Sequence, residues 1–234
     1  MSLFAWFRPR QVEESIRQRV AQLAAPAPLS EDSLRSQRWV VLDLETSGLN
    51  THRDQVLSIG AVVIEDGAID FSQQFERTLY QRDHKLTSSV LIHGLGPSAI
   101  AAGCDPAEAL LELMTFIGDS PVLGFHAPFD QRMLARALKD HLGYRLQHPF
   151  LDLAELAPLL NPQLTLREAG LDDWTACFGL EAIARHNASA DAMVTAELAL
   201  ILFSQARRQQ LDSPALLDRQ IQRWRRKGLQ NHGF

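Results

Sequence analysis

Val40 to Asn50 reads VVLDLETSGLN, and the fold turns on how its two acids are understood. The first half is β-branched and apolar, the composition of a buried strand. Asp43 and Glu45 interrupt it one residue apart. Alternate side chains of a strand share a face, so Val40, Leu42 and Leu44 point one way and the two acids the other. A strand that looks like core thus turns a pair of negative charges toward whatever covers its second face.

Working outward, three strand-like runs follow one another: WVVLDLE, QVLSIGAVVIE and AIDFSQQFERTLY. Asp66-Gly67, between the second and third, is a strong hairpin signal. A helix-like SSVLIHGL comes next, then PAEALLELMTFIGD, whose Pro106 and early acid suit a helix N-terminus. PVLGF (Pro121 to Phe125) is a short buried strand, DQRMLARALKDHLG a helix ending at Gly143, and PFLDL another short strand. LREAGLDDWTACFGL and SADAMVTAELALILFSQA read as helices. A hairpin meander followed by β-α alternation implies an α/β fold, a five-stranded mixed sheet with helices on both faces. Before Ser36 strand character is missing: Val12, Ile16, Val20 and Leu23 recur at helical spacing, and AAPAPLS reads as a linker. Three parts result: a helical extension and linker over 1–36, a main domain over 37–205, and a basic amphipathic tail over 206–234.

The chain has 234 residues, 46% of them hydrophobic, enough for a sizeable core in one domain. Its start, MSLFAWFRPR, holds no apolar run long enough for a signal peptide. AMVTAELALILF, at about twelve residues, is too short to span a bilayer and reads as a core helix. Cys104 and Cys177 fit no metal spacing and form no disulfide framework, so a reduced, cytoplasmic setting is expected. The net charge of −5 conceals an asymmetry. Residues 206–234 carry seven Arg/Lys against two Asp, residues 1–38 six against four acids, and the middle ten against twenty-two. A plain nucleic-acid binder normally shows a basic footprint. An acidic body with basic ends suits an enzyme whose acids hold cations.

Two further acids stand at helix starts. Asp130 follows PVLGF, and Asp191 opens the long helix five residues after His186, in RHNASADA. Singly, an Asp in a first turn only offsets the macrodipole. If the first strand is central, however, Asp43, Glu45, Asp130 and Asp191 converge. At an effective dielectric of 20, each pair about 4 Å apart costs on the order of 4 kcal/mol. Such a cluster is tolerable only with protons or cations bound, and hard all-oxygen ligands select Mg²⁺ or Mn²⁺. Two such ions about 4 Å apart clamp an in-line displacement at phosphorus. A neutral histidine beside them would take the attacking water's proton, typically worth 10²–10⁴-fold.

The three blocks resemble the motifs of the histidine-type DEDD exonucleases, the DnaQ-like family of 3′–5′ exonucleases on a ribonuclease H-like fold. DLET (Asp43 to Thr46) is similar to the first motif, GFHAPFDQRML (Gly124 to Leu134) to the second and HNASAD (His186 to Asp191) to the third. VLSIGAV and IHGL (Ile92 to Leu95) fall between them in the family's order, and the resemblance covers roughly residues 37–205. It implies that Asp43, Glu45, Asp130 and Asp191 hold two divalent cations, Mg²⁺ or Mn²⁺, with His186 as general base. It also implies that Thr46 and Leu49 meet the 3′-terminal nucleotide, and that His93 and Phe129 fall at positions that line the substrate. One departure stands out: Phe125-His126 replaces the second motif's usual His-Asn pair, which leaves a supporting hydrogen bond lost or remade by His126.

The resemblance therefore implies a metal-dependent 3′–5′ exonuclease in proofreading or repair. It would release nucleoside 5′-monophosphates from single-stranded or frayed 3′ ends, DNA favoured. An enzyme of RNA 3′ ends, oligoribonuclease-like, is the alternative, because the motifs act on phosphate. A catalytically silent scaffold binding nucleic acid or a polymerase must explain why no acid and no histidine is missing. In the tail, Leu217, Ile221 and Trp224 share a helical face beside Arg219, Arg223, Arg225, Arg226 and Lys227. Three roles are open to it: holding a nucleic-acid backbone, docking on a polymerase partner or on the chain's own core, or remaining a solvated helix.

Overall fold

The structure, a computed structural model, describes residues 13–81, 94–164, 166, 169–181 and 185–231. At its centre lies β1 (Trp39–Thr46). It pairs antiparallel with β2 (Val56–Glu65), which pairs antiparallel with β3 (Ala68–Thr78). On its other side β1 runs parallel to β4 (Val122–Gly124), and β4 runs parallel to β5 (Phe150–Asp152). The order is β3-β2-β1-β4-β5, the five-stranded mixed sheet expected from the meander and the β-α alternation. The hairpin turn falls at Asp66 and Gly67, with φ of 53° and 75°. Two successive positive φ values are what a tight turn between twisted strands requires, and Asp-Gly meets them at low cost.

Alternation along β1 divides the core. Trp39 and Val41 join Val62, Ile64 and Leu123 on one face, and Val40, Leu42 and Leu44 join Ile59, Val63 and Val122 on the other. The second face is covered by α3 (Pro106–Ile117) and α4 (Ala127–Leu142), through Leu110, Leu113, Met133, Leu134 and Leu138. Over the first face lie α5 (Leu153–Leu160), α6 (Leu171–Cys177), α7 (Ala188–Arg208) and α8 (Pro214–Asn231). Trp39 anchors that side, its ring 5.2 Å from Phe203 on α7 and its indole N–H donating to the Leu34 carbonyl. Asp43 and Glu45 extend the stripe of Trp39 and Val41 to where the apolar cover ends.

Short elements differ from the sequence pattern. The helix α5 begins directly on β5, where only PFLDL reads as a strand, and it holds Pro158 inside. Of the helix expected over LREAGLDDWTACFGL, the described residues hold α6, while residues 167 and 168 lie outside them. A one-turn α2 (Pro97–Ala101) precedes α3, and the helix expected at SSVLIHGL falls mostly outside the described residues.

The described parts of both flanking segments pack onto the body. The N-terminal α1 (Glu14–Val20) places Ile16 and Val20 against the α3–α4 side, and Arg19 pairs with Glu108 at 2.7 Å. In α8, Leu217 and Ile221 are buried with α5 and α7, Arg219 bonds Glu31 at 2.6 Å, and Arg225 bonds Glu155 at 2.7 Å. Leu217 and Ile221 of the tail's apolar face are thus spent on the chain's own core, while Trp224 of that face stands outward with Arg223, Arg226 and Lys227. Cys104 and Cys177 are free and exposed. No described helix is long and apolar enough to cross a membrane.

Candidate active site

Three elements deliver the acids. Asp43 and Glu45 come from the end of β1, where a register shift between Glu45 and Thr46 breaks the alternation. Bulges of this kind re-aim side chains beside active sites. Asp191 lies in the first turn of α7, and Asp130 in the first turn of α4, which follows the C-terminal end of β4. Both are 5% exposed. Oxygens of Asp43, Glu45 and Asp191 lie within 4.8 Å of one another, a grouping among the described residues that could hold a metal ion. Asp130 is not in that trio; burial first, and the Asp43 charge second, push its carboxyl above the usual range.

Gly60 on β2 explains how α7 reaches this place. It pairs with Asp43 across the sheet. A Cβ added to it would lie 2.1 Å from the Ala188 carbonyl carbon and 2.2 Å from the Ser189 nitrogen. Only a bare backbone lets the first turn of α7 settle on the sheet there, at Ala188 and Ser189, three and two residues before Asp191. Asn187 caps that turn, accepting the Ala190 N–H at 3.0 Å.

The electrostatics are those of crowded anions. Burial, then Asp191, then Glu45 push Asp43 well above the usual carboxylate range, with Arg185 pulling it down. Burial and Asp191 push Glu45 up to about 7. Asp130 is raised by burial first and Asp43 second. A site where burial and crowding push Asp43, Glu45 and Asp130 up for want of positive charge, and whose donors are all oxygen, fits hard divalent cations.

The remaining sequence-predicted residues are placed less uniformly. His186 is exposed at φ 60°, and its backbone N–H donates to Asp191 Oδ2 at 3.0 Å, so the turn carrying it is tied to the cluster. The Thr46 hydroxyl donates to the Gly48 carbonyl at 2.9 Å, closing the turn after β1. Leu49 stands 86% exposed on that loop, which Asp54 holds by accepting the Asn50 N–H at 2.7 Å. Phe129 is partly buried against the α3–α4 side. His93 lies outside the described residues.

Two residues escaped the sequence reading. Asp152, 5% exposed at the end of β5, accepts the Ala154 N–H at 3.0 Å and the Ala127 N–H, tying the starts of α5 and α4 together. His126, at the departure from the second motif, caps no N–H of α4; its ring meets Phe125 edge-on at 4.9 Å. The start of α4 thus has no side-chain cap from His126. Arg185 bonds both Asp191 and Asp172. Its adjacency to His186 was the available signal, but a lone arginine has no period or spacing to mark it.

Comparison with known proteins agrees with this geometry. A family model described as Exonuclease (RNase T) matches residues 40–199. The chain is 33% identical over 174 residues to the PolC-type DNA polymerase III of Thermotoga maritima, covering 74% of this chain and 12% of that one. To the DNA polymerase III subunit epsilon of Aquifex aeolicus it is 29% identical over 173 residues, covering 71% of this chain and 81% of that one. It thus spans a small part of the polymerases and most of the subunit. Among solved structures, E. coli exonuclease I in complex with a dT13 oligonucleotide superposes with a TM-score of 0.61 at 19% identity, over 74% of this chain and 42% of that one. The five-stranded sheet and its helices are shared with that exonuclease fold.

Proposed function

The chain belongs to the exonuclease family whose model spans residues 40–199, and from that membership we propose a metal-dependent 3′–5′ exonuclease acting on single-stranded or frayed 3′ ends, DNA favoured. The observation that carries it is the convergence of Asp43, Glu45 and Asp191 within 4.8 Å. Residues 37–205 form the catalytic unit, flanked by the 1–36 extension and the 206–234 tail. The DNA preference is supported by relatives named as DNA polymerase III proteins and by a structural neighbour solved with a DNA oligonucleotide. Association with a polymerase belongs to the same reading, with Arg223, Arg226 and Lys227 as its outward contacts.

Asp43, Glu45, Asp191 and Asp130 would hold two divalent cations. Bound there, the ions lower the pKa of water and offset charge developing at phosphorus. His186 accepts the water's proton as the new P–O bond forms. The bond from phosphorus to the 3′ oxygen of the penultimate nucleotide breaks, that oxygen takes a proton, and a nucleoside 5′-monophosphate leaves. Leu49, exposed on its braced loop, packs beneath the terminal base, and Thr46 and Phe129 line the approach with His93.

A 5′-labelled single-stranded oligonucleotide incubated with Mg²⁺ or Mn²⁺ should shorten from its 3′ end, faster as DNA than as matched RNA. His186→Ala should slow this by about 10²–10⁴-fold while manganese binding, read by calorimetry, stays near wild type. No shortening by wild type, or loss of metal binding in the variant, would overturn the assignment or the base role respectively.

Metal affinity should also depend on pH. Glu45, pushed up to about 7, is protonated below that value and must release its proton to coordinate. Affinity for Mn²⁺ should therefore climb from pH 6 to pH 8, with proton release visible as a buffer-dependent heat. In chelator the sign for stability is opposite. A raised folded pKa supports the fold fully below the ordinary value of 4.5 and withdraws that support as pH rises to about 7. A flat affinity over this window would remove Glu45 from the ligand set.

A further inference from the structure

Arg185 is the one cation among the described residues that bonds an acid of the cluster. Its Nη1 bonds Asp191 Oδ1, while the second Asp191 oxygen accepts the His186 N–H at 3.0 Å. Its Nε bonds Asp172, in the first turn of α6. The arginine therefore bridges two unlike partners: the Asp191 side chain is 7% exposed and that of Asp172 is 66% exposed. We propose that Arg185 is an internal counter-ion that competes with the divalent cation for Asp191 and withdraws to Asp172 when the cation binds.

The chemistry requires one occupant or the other. A guanidinium stays charged at any working pH and has five donors but no acceptor, so it neutralises carboxylates while offering a metal nothing. Coordination needs the Asp191 oxygen that Arg185 holds, and a dication within a few ångströms repels it. Withdrawal costs little because Asp172 already holds Nε at the surface, where the head can be rehydrated. The loop does not come free in the exchange, since the His186 N–H keeps its bond to the other Asp191 oxygen. Arg185 is thus a positioning and tuning residue. It keeps the acids together between loadings and lowers their net affinity, so the site turns over its ions in response to their concentration.

This rests on Asp191 being a metal ligand, and the test separates the two ideas. Mn²⁺ is titrated calorimetrically into the chelator-stripped, dialysed full-length chain as wild type, Arg185→Gln, Asp172→Asn and Asp191→Asn. Arg185→Gln should bind Mn²⁺ about 10- to 100-fold more tightly, the range set by a charge-assisted hydrogen bond, and should melt lower in chelator. Asp172→Asn, which takes away the withdrawal partner, should bind more weakly. Opposite directions are the signature of competition. If Arg185 merely staples the loop, both variants bind more weakly, and the proposal is overturned. Equal affinity of Arg185→Gln and wild type overturns it as well. Asp191→Asn binding as tightly as wild type would overturn the metal site itself and the competition with it.

Discussion

Asp43→Asn is expected to abolish nucleotide release and, in chelator, to raise the melting temperature. Both follow from the same placement. Asp43 shares the cluster with Glu45 and Asp191, and its charge also reaches Asp130, so a cation held here loses one of its grouped ligands. Removing several kcal/mol of transition-state charge stabilisation costs about 10³-fold or more, at a factor of ten per 1.4 kcal/mol. The stability gain has the reverse origin. Burial and like charges hold the Asp43 carboxyl well above its ordinary range. A raised folded pKa means that the group supports folding below the unfolded value of 3.8 and opposes it as pH rises toward the folded value. At pH 8 the isosteric amide escapes that opposition; near pH 4 it gains nothing. Each kcal/mol released should lift the midpoint by roughly 2–4 °C in a chain of this size. Melts in chelator at both pH values, with the oligonucleotide assay alongside, decide the matter. Shortening at wild-type rate, or a lower midpoint at pH 8, would contradict the place given to Asp43 in the cluster.

Gly60→Val should damage the protein severely, although residue 60 carries no group that could bind a metal or move a proton. Its new Cβ would meet backbone atoms of Ala188 and Ser189 at 2.1–2.2 Å, and backbone cannot rotate away as a side chain can. Either α7 lifts at its first turn or the β1–β2 ladder parts at the Asp43–Gly60 pair. Overpacking of this kind costs about 1–3 kcal/mol. Lifting α7 also carries Asp191 and the His186 turn away from Asp43, and a ~1 Å misplacement can cost about 10²-fold in rate. Gly60→Ala should show the same effects, because the clash begins at Cβ. Gly96→Ala is the control, since nothing lies within 4 Å of its added carbon. A Gly60→Ala protein that melts with wild type and keeps full activity would show that α7 has room that the structure does not give it.

Several elements were legible because their signal is local. The Asp66-Gly67 turn, the Pro106 helix start and the Gly143 helix end lie where their turn and cap chemistry places them. The helix α5 was hidden: it is eight residues long, begins on the last strand residue and contains Pro158, which reads as a break. The packing of α8 was open for a different reason. An amphipathic basic helix has the same pattern whether its apolar face meets a partner or its own core, and only the burial of Leu217 and Ile221 distinguishes them.

VVLDLETSGLN by itself determined that Asp43 and Glu45 share a face and that Val40, Leu42 and Leu44 take the other, because strand period is a property of the backbone alone. Motif order and spacing determined the family and named the acids and the histidine. Tertiary structure decided the rest: that Asp191 meets Asp43 and Glu45 while the Asp43 charge reaches Asp130, that Asp152 caps the start of α5, and that Arg185 shares Asp191 with Asp172. These are contacts between residues far apart in the chain or on different elements, set by how closely α7 presses on Gly60 and how β4 delivers α4. No period or cap in the sequence encodes a distance of that kind; packing does.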